Sequence, residues 1–310
     1  MISENLNVNE QGHLTFAGHD TAVLAAKYGT PLYLMDERRI RERCRLYRQA
    51  MAEAFGGESG PLFASKALCF KHIYEIMREE NMGIDVVSSG ELYTAILAGF
   101  PAQRAYFHGN NKTDADIAFA MDNGIGHFVC DNADELYAIE REAANRGIRQ
   151  KILLRLTPGI DPHTHEKITT GKVDSKFGAA IETGQAMQLT ALALSMPHIV
   201  TEGFHCHIGS QIFDCAPFCD AARIMLRFMG DVKRELGFEA TVLNLGGGMG
   251  VPYVKTDPVP DYAENIRRIG EAVRTACAEF GLTPPTVLME PGRSIVADAG
   301  LTLYTVGGKK

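Results

Sequence analysis

The chain has 310 residues, a formal net charge of -7 and a pI of about 5.8. Hydrophobic residues make up 45% and charged residues 22%, which is the balance of a globular protein with a sizeable core. The length exceeds most single cores except those of α/β barrels. Without a domain-wide basic field, we expect no nucleic acid partner.

The N-terminus and the cysteines bear on the cellular compartment. No apolar run approaches the roughly 20 residues that span a bilayer, and the polar start "MISENLNVNEQGHL" lacks the basic and apolar segments of a signal peptide. The seven cysteines are scattered and form no C-x-x-C pair, which argues against a disulfide framework or a zinc ribbon. We therefore expect a cytoplasmic protein with no membrane partner.

A short strand pattern followed by a helical pattern recurs along the chain. A β-like piece, "HLTFAG", a helix, "DTAVLAAKYGT", and an opening strand, "PLYLMD", come first. Eight strands are then predicted, at 61–66, 83–88, 104–109, 126–131, 151–157, 199–209, 241–247 and 286–292. Eight β-then-α units predict an α/β fold in which a parallel sheet closes into a (β/α)₈ TIM-type barrel.

Three helix ends carry recognisable signals. Ser88 with Glu91 three residues on predicts a capping box, and Gly147 and Gly281 are typical helix stops. At the end of the chain "LTLYTV" reads as a strand that could pair with "PLYLMD". We expect residues 1–35 to belong to a second β domain, 36–292 to form the barrel, and 293–310 to begin a truncated, incomplete C-terminal β domain.

In such a barrel the active site lies at the C-terminal ends of the strands. The predicted strand ends carry chemical groups from nearly every strand: Lys66, Asp85, Ser88, His108, Arg155, His205, His207, Ser210, the glycines of Gly246–Gly250, Glu290 and Arg293. Glycine N–H groups and a serine can hold a phosphate, and an imidazole can stack on a flat ring. A glutamate can keep a pyridine nitrogen protonated, and a lysine can bond to an aldehyde. That set suits pyridoxal 5'-phosphate, PLP.

Each feature also has a plainer interpretation. Lysine is rarely buried, so Lys66 alone would be a solvated strand-end residue, and glycine runs often mark only a tight turn. The H-x-H pairs, His205 with His207 and His163 with His165, could bind metal, because alternate strand residues share a face. No further ligand set is evident in the sequence, and we expect no metal. We expect Cys206, on the other face, to be a core residue.

Seven motifs in the same order resemble the fold-type III PLP-dependent decarboxylases, and within them the members that act on diaminopimelate. The resemblance runs from about Pro31 to the C-terminus. The motifs are "FASKAL", "GIDVVSSGELYTAILAGF", "FHGNNK", "DPHTHEKITTGKVDSKFG", "GFHCHIGSQI", "NLGGGMGVPY" and "EPGRSIVADAG".

The resemblance implies a role for each site residue. Lys66 would bond to the cofactor's aldehyde, His207 would stack on its ring, and Glu290 would bind its ring nitrogen; these three would be catalytic. The phosphate would be held by Ser210, Gly247, Gly248 and the backbone from Glu290 to Arg293, Gly292 included. Arg293 would also contact the substrate carboxylate, and Asp85 and Arg155 would lie near the lysine and the ring.

The implied reaction is decarboxylation of meso-2,6-diaminopimelate to L-lysine, the last step of lysine biosynthesis, by a homodimer with shared active sites. Family members carry a further β-rich domain with a "CESGD"-like motif and more substrate-binding residues, which these 310 residues lack, so we expect an incomplete substrate pocket and the chain alone could be inactive. Three alternatives stay open: a related decarboxylase of ornithine, arginine or carboxynorspermidine, a non-catalytic PLP-binding barrel, and a metal-dependent barrel hydrolase.

Overall fold

The structure, a computed structural model, describes residues 3–160 and 177–308. The predicted pair His163 and His165 lies outside these residues. Within the two ranges no helix combines the length and apolar character that crossing a membrane requires. The chain begins with a small antiparallel sheet and a helix capped by Asp20. These elements are β1 (Leu6–Val8), β2 (Leu14–Phe16), β3 (His19–Asp20) and α1 (Thr21–Tyr28).

The opening strand β4 (Leu32–Met35) is followed by the long helix α2 (Glu37–Phe55) and then by the barrel. Each barrel strand is followed by a helix. The strand and helix pairs are β5 (Gly60–Ala64) with α3 (Lys71–Glu79), β6 (Gly83–Val86) with α4 (Ser89–Leu97), β7 (Ala105–Phe107) with α5 (Asp114–Asp122), β8 (His127–Cys130) with α6 (Ala133–Arg146), β9 (Gln150–Thr157) with α7 (Gln185–Leu194), β11 (Ile199–His205) with α8 (Ala216–Leu236), β12 (Val242–Asn244) with α9 (Tyr262–Phe280), and β13 (Thr286–Met289) with α10 (Arg293–Val296). The two-residue β10 (Ala179–Ala180) adds to β9.

These eight parallel strands close on themselves, which confirms the predicted (β/α)₈ barrel. Each strand pairs with its chain neighbour, and the ring is completed where Leu288 of β13 pairs with Gly60 of β5. Apolar side chains fill the barrel interior, and a larger apolar core lies between strands and helices. The interior cluster consists of Leu62, Val129, Leu153, Val242 and Leu288. Cys206 is fully buried in the larger core, as predicted.

The predicted strands are correct in place, but seven of the eight are too long at their C-terminal ends, whereas the fifth ends at Thr157 as predicted. The first ends at Ala64, and Lys66 lies in a 3₁₀ turn, Ser65–Ala67. The sixth ends at His205 rather than at residue 209. Beyond these points the backbone leaves the ladder to form the loops of the barrel mouth, because the chain must turn back toward the following helix.

The two ends of the chain meet, as predicted. The strand β14 (Gly300–Leu303) pairs antiparallel with β4, outside the barrel ladder. It is shorter than the predicted strand, which ran to Val306. Further 3₁₀ turns lie at Ala102–Arg104 and Ala297–Ala299. The division into domains at residues 35 and 292 stays a prediction.

The helix stops were predicted correctly and one helix start only in part. Gly147 and Gly281 end α6 and α9 in the left-handed conformation. Ser88 caps α4 by accepting from the Glu91 N–H at 3.2 Å. The Glu91 carboxylate, however, accepts from the N–H of Val87 at 2.7 Å rather than from that of Ser88. The predicted capping box is therefore half present, because the preceding N–H is a competing donor.

Candidate active site

The barrel mouth holds two adjoining cavities of about 700 and 430 Å³. They share a wall of polar groups from four different strand ends. The shared residues are Lys66, Asp85, His207, Ser210 and Glu290. Gly248, Gly292 and Arg293 line the larger cavity only, whereas His108, Arg155 and His205 line the smaller one. The structure therefore brings nearly all the predicted site residues to one place.

Lys66 lies on this shared wall and is exposed to solvent. The turn that carries it follows directly from β5, whose last residue, Ala64, donates its N–H to the Pro291 carbonyl at 3.2 Å. This bond ties the first barrel strand to the segment after the last one. Closure of the ring thus brings Lys66 to the same cavity wall as Glu290.

Glu290 is the most heavily bonded acid of the site. The Asn244 amide donates to its Oε1 at 2.7 Å, and His108 Nε2 lies 2.9 Å from the same oxygen. His205 Nε2 lies 3.3 Å from Oε2. Burial alone would raise the pKa of Glu290, but the facing His108 and His205 hold it well below its usual range. Glu290 is therefore an anion in the buried floor of the cavity.

Strand register explains why these groups meet. His205 and Asn244 are the last residues of adjacent strands and pair with each other. His108 and Glu290 follow directly after the ends of β7 and β13. Side chains at the carboxyl edge of a closed parallel barrel point into a common mouth. Four polar residues from four strands consequently meet at the same height along the barrel axis, at its C-terminal mouth.

His207 is an uncharged ring on the cavity wall. Burial, followed by the nearby Lys66 and Arg155 charges, holds its pKa well below the usual value for histidine. Its Nδ1 lies 3.2 Å from the N–H of Gly247 and accepts from it. The hydrogen of the neutral imidazole is consequently on Nε2. A neutral ring can stack on a cationic heterocycle without charge repulsion.

The glycine loop after β12 passes too close to other backbone for any side chain. A Cβ on Gly248 would lie 2.2 Å from the Gly209 carbonyl oxygen, and φ there is +118°. A Cβ on Gly247 would lie 2.0 Å from the Glu290 oxygen. Gly248 lines the cavity beside Ser210, whereas the Gly247 N–H is directed to His207. The predicted phosphate role of Gly247 stays a prediction.

Asp85 and Arg155 lie deep in the smaller cavity. Burial raises the pKa of Asp85, and its Oδ1 has no hydrogen-bond partner among residues 3–160 and 177–308. The Arg155 guanidinium lies 4.2 Å from the centre of the Phe177 ring, and its Nε lies 3.8 Å from Asp131 Oδ1. Both residues line the smaller cavity and are buried.

Arg293 lies at the rim, where its Nη1 donates to the Tyr253 hydroxyl at 2.7 Å. Both side chains line the larger cavity. Three residues of the site and its surroundings were not predicted from the sequence: Tyr253, Asn244 and Lys112. A polar residue that ends an otherwise apolar strand, as in "TVLN", was the available signal for Asn244.

The donor set fits PLP. A lysine amine, a carboxylate anion, a neutral imidazole and a glycine cradle with a serine hydroxyl lie on one cavity wall. The cradle stays open because Gly248, where a Cβ would clash with the Gly209 backbone, carries no side chain. Among the described residues, His108, His205 and Glu290 also bring three potential metal-ligand atoms within 4.8 Å of one another, a set that the sequence analysis did not identify.

Comparison with known proteins gives a consistent family. The model of the pyridoxal-dependent decarboxylase family, pyridoxal binding domain, matches residues 37–297. Diaminopimelate decarboxylase of Bacillus methanolicus is 44% identical over 98% of this chain and 70% of its own length. That of Bacillus subtilis (strain 168) is 44% identical over 97% of this chain and 69% of its own. Diaminopimelate decarboxylase of M. jannaschii, solved with L-lysine, superposes with a TM-score of 0.87 at 34% identity, over 97% of this chain and 69% of its own.

Proposed function

Because the chain belongs to the family of pyridoxal-dependent decarboxylases, we propose that it is a carbon–carbon lyase that decarboxylates meso-2,6-diaminopimelate to L-lysine. The observation that carries the proposal is the cavity wall shared by Lys66, His207, Ser210 and Glu290. The identity of 44% to diaminopimelate decarboxylases over nearly the whole chain supports this substrate above ornithine, arginine and carboxynorspermidine.

PLP, when bound, supplies an aldehyde for the substrate amine and a protonated ring that accepts the electrons of the departing carboxylate. In the proposal Lys66 holds the cofactor through its amine and Glu290 keeps the proton on the ring nitrogen. His207 stacks on the ring face. Ser210, Gly247, Gly248 and the Gly292 backbone hold the phosphate.

Arg293 is proposed to bind the carboxylate of the substrate that is not lost. Its place on the rim of the larger cavity supports this role, and a guanidinium matches a carboxylate with two parallel hydrogen bonds. The related M. jannaschii enzyme was solved with L-lysine, a small amino acid of the kind proposed here. Asp85 and Arg155 are proposed to set the charge around Lys66 and the ring.

The remaining predictions are proposals of the same kind. The pairing of β4 with β14 outside the barrel supports assignment of both chain ends to a second β domain. A homodimer with shared sites, a cytoplasmic location and the absence of a metal rest on the sequence arguments alone.

Chemical trapping tests the cofactor assignment. The protein is incubated with PLP, reduced with borohydride and digested, and the pyridoxyl peptide is identified by mass spectrometry. We expect the label on Lys66, and we expect it to be lost in Lys66→Arg but kept in Lys71→Arg, an exposed lysine outside the cavity. Label spread over several lysines at similar yield would reject the assignment.

The substrate is tested by release of CO₂ and lysine from meso-diaminopimelate, with ornithine and arginine as competitors. Turnover of ornithine or arginine at a higher kcat/KM would reject the proposed substrate but would leave the assignment to the decarboxylase family unchanged. A trapped Lys66 without any decarboxylation would favour a PLP-binding protein.

A further inference from the structure

We propose that His108, His205 and Asn244 are positioning residues that hold the Glu290 carboxylate in one fixed orientation, with the hydrogen of the neutral His205 imidazole on Nε2. We call these three residues the Glu290 clamp. The inference deepens the proposed function, because it rests on Glu290 as the group that faces the ring nitrogen of PLP. None of the three clamp residues has a role of its own in the proposed binding of the cofactor.

The clamp occupies both oxygens of the carboxylate. Oε1 accepts from Asn244 Nδ2 at 2.7 Å and lies 2.9 Å from His108 Nε2, and Oε2 lies 3.3 Å from His205 Nε2. All four side chains are more than nine-tenths buried. A buried carboxylate is costly unless donors surround it. The Asn244 and His205 donors, with the His108 ring in close contact, therefore keep Glu290 ionised in the barrel floor.

The position of the His205 hydrogen follows from the acceptor. An ionised carboxylate has no hydrogen to donate, so a nitrogen that bonds to it must carry one. His205 bonds to Glu290 through Nε2, so this nitrogen carries the hydrogen. His108 Nε2 makes a close contact with the same carboxylate, but the geometry of that contact is not that of a hydrogen bond. In a neutral His205 the Nδ1 then bears only a lone pair. That atom has no hydrogen-bond partner within the described part of the chain, which costs less for a lone pair than for a buried N–H.

The orientation is set by the barrel and not by a flexible loop. The clamp residues lie at the ends of β7, β11 and β12, and the rings of His108 and His205 pack edge to face at 4.8 Å. Asn244 also accepts the Gly246 N–H at 2.9 Å through its Oδ1. One amide thus joins the carboxylate to the glycine loop, so the two proposed contacts at opposite ends of the cofactor share a support. Fixed donors of this kind preorganise a site before a ligand arrives.

A shared metal ion is the competing explanation for the trio His108, His205 and Glu290. Asn244 argues against it. Its Nδ2 donates to the same Oε1 that faces His108, and an amide N–H is a hydrogen-bond donor rather than a metal ligand. The Asn244 and His205 hydrogen bonds, with the His108 contact beside them, form the polar shell of an anion.

A double-mutant cycle between His205 and Glu290 tests the clamp on the 310-residue protein. His205→Leu removes the donor, whereas His205→Gln supplies an amide N–H that can reach the Glu290 carboxylate. Each substitution is made alone and in combination with Glu290→Gln. The chain has no tryptophan, so the affinity for PLP is read from the visible absorption of the bound cofactor. The thermal midpoint of the cofactor-free protein is measured in parallel.

We expect His205→Leu to weaken PLP binding about tenfold when Glu290 is intact and less than about twofold in the Glu290→Gln background. His205→Gln should restore most of the affinity. In the cofactor-free protein, His205→Leu should lower the thermal midpoint by several degrees. The same substitution should lower it by less when Glu290→Gln is already present. A merely structural histidine would cost the same in both backgrounds, and equal losses would overturn the clamp.

The other outcomes are also decisive. If His205→Leu does not fold, the same cycle with His108→Leu and His108→Gln decides. If the unsubstituted protein has no affinity for PLP, the proposed function fails, and the midpoint cycle alone decides whether the clamp exists. A midpoint raised by Zn²⁺ in the unsubstituted protein but not in His205→Leu would assign the trio to a metal and overturn the clamp.

Discussion

Lys112 is an enclosed cation in the loop after β7, and its buried ammonium group ties that loop to neighbouring segments. Its Nζ donates to the carbonyl oxygens of Gly109 and Val129 and to Glu135, each at 2.7–2.9 Å. Only 1% of the Lys112 side chain and 4% of that of Glu135 are exposed. The loop carries His108 and Asn110 into the smaller cavity. This pair is therefore a structural support of the site.

Lys112→Met is expected to destabilise the protein by about 3–5 kcal/mol, because it leaves Glu135 buried without its cation. Lys112→Met with Glu135→Gln should recover a large part of the loss. Denaturant unfolding measures both, and Lys233→Met, which breaks an exposed ion pair with Glu239, should cost about 1 kcal/mol or less. A loss below about 1 kcal/mol for Lys112→Met would contradict the assignment.

The hydroxyl of Tyr253 holds the guanidinium of Arg293 at the rim. Tyr253→Phe keeps the ring and removes this acceptor, so we expect the KM for meso-diaminopimelate to rise about three- to tenfold with a smaller change in kcat. Steady-state kinetics measure the two constants. Tyr137→Phe, at a similarly exposed tyrosine on α6, is the matched control. Equal effects of the two substitutions would remove Tyr253 from the site.

Residue identity predicted the site better than it predicted the contacts within it. Lys66, His207, Ser210 and Glu290 could be named because each stands in a distinctive motif at a strand end. His108 and His205 were named as strand-end residues too, but Asn244 and the contacts of the clamp with Glu290 were not, because those contacts depend on the register between three separate strands. The exposure of Lys66 agrees with its plainer interpretation as a solvated residue, but the 3₁₀ turn that carries it was not predicted, since the strand was expected to run on to residue 66.

At the scale of elements, α4 and α5 differ in how their first turns are capped. Thr113 of α5 accepts from the Asp116 N–H at 3.2 Å, and the Asp116 carboxylate accepts from the Thr113 N–H at 3.0 Å. This reciprocal box is complete, whereas the box of α4 is half formed. An Asp three residues after the cap can serve as well as the Glu or Gln of the usual pattern, which is why the sequence analysis overlooked it.

Thr113→Ala is expected to lower the free energy of unfolding by about 1 kcal/mol, because two first-turn N–H bonds are lost or weakened. Thr113→Ser keeps the hydroxyl and should cost only a few tenths of that. Denaturant titration distinguishes the two. An unchanged stability in Thr113→Ala would show that water replaces the box without cost.

Strands were predicted in number and order because apolar runs between helical patterns are visible in one sequence. Most of their C-terminal ends were not, the end of β9 at Thr157 excepted, because a strand stops where its neighbours stop bonding to it. The half-formed box at Ser88 has a similar cause. The choice of Glu91 between two neighbouring N–H groups depends on the local path of the backbone after β6, which residue spacing does not record.

At the scale of the whole molecule, the two ends of the barrel are chemically distinct. Opposite the site, near the N-terminal ends of the strands, Glu202 of β11 bonds to His127 Nε2 at 2.8 Å and to Lys151 Nζ at 2.6 Å. The His127 ring stacks on Tyr106 at 4.2 Å. In barrels of this kind the N-terminal end serves stability and the C-terminal end serves function. We expect substitutions at Glu202 to affect stability alone.

The bond to His127, opposed in part by burial and aided by Lys151, lowers the pKa of Glu202 to about 2 from its ordinary 4.5. Because the folded-state pKa is the lower one, the carboxylate stabilises the protein above about pH 4.5, and the contribution disappears as the pH falls toward about 2. Glu202→Gln should lose about 1–3 kcal/mol at about pH 7 and show a flatter decline across that acidic window. Unfolding free energies at several pH values measure this, and parallel pH curves for the two proteins would contradict it.

Closure of the ring through β13 and β5 has a consequence for synthesis on the ribosome. Gly60 emerges well before its partner Leu288, and at roughly 5–20 residues per second synthesis of the segment between them takes about 10–45 s. For that interval one edge of β5 has no neighbour, and an unpaired edge is a template for pairing with other chains. Lys66 and Glu290 cannot come together until the last strand has been translated. The site of the nascent protein is consequently assembled in one step, when β13 pairs with β5. We expect chaperones to bind the chain most during the preceding interval.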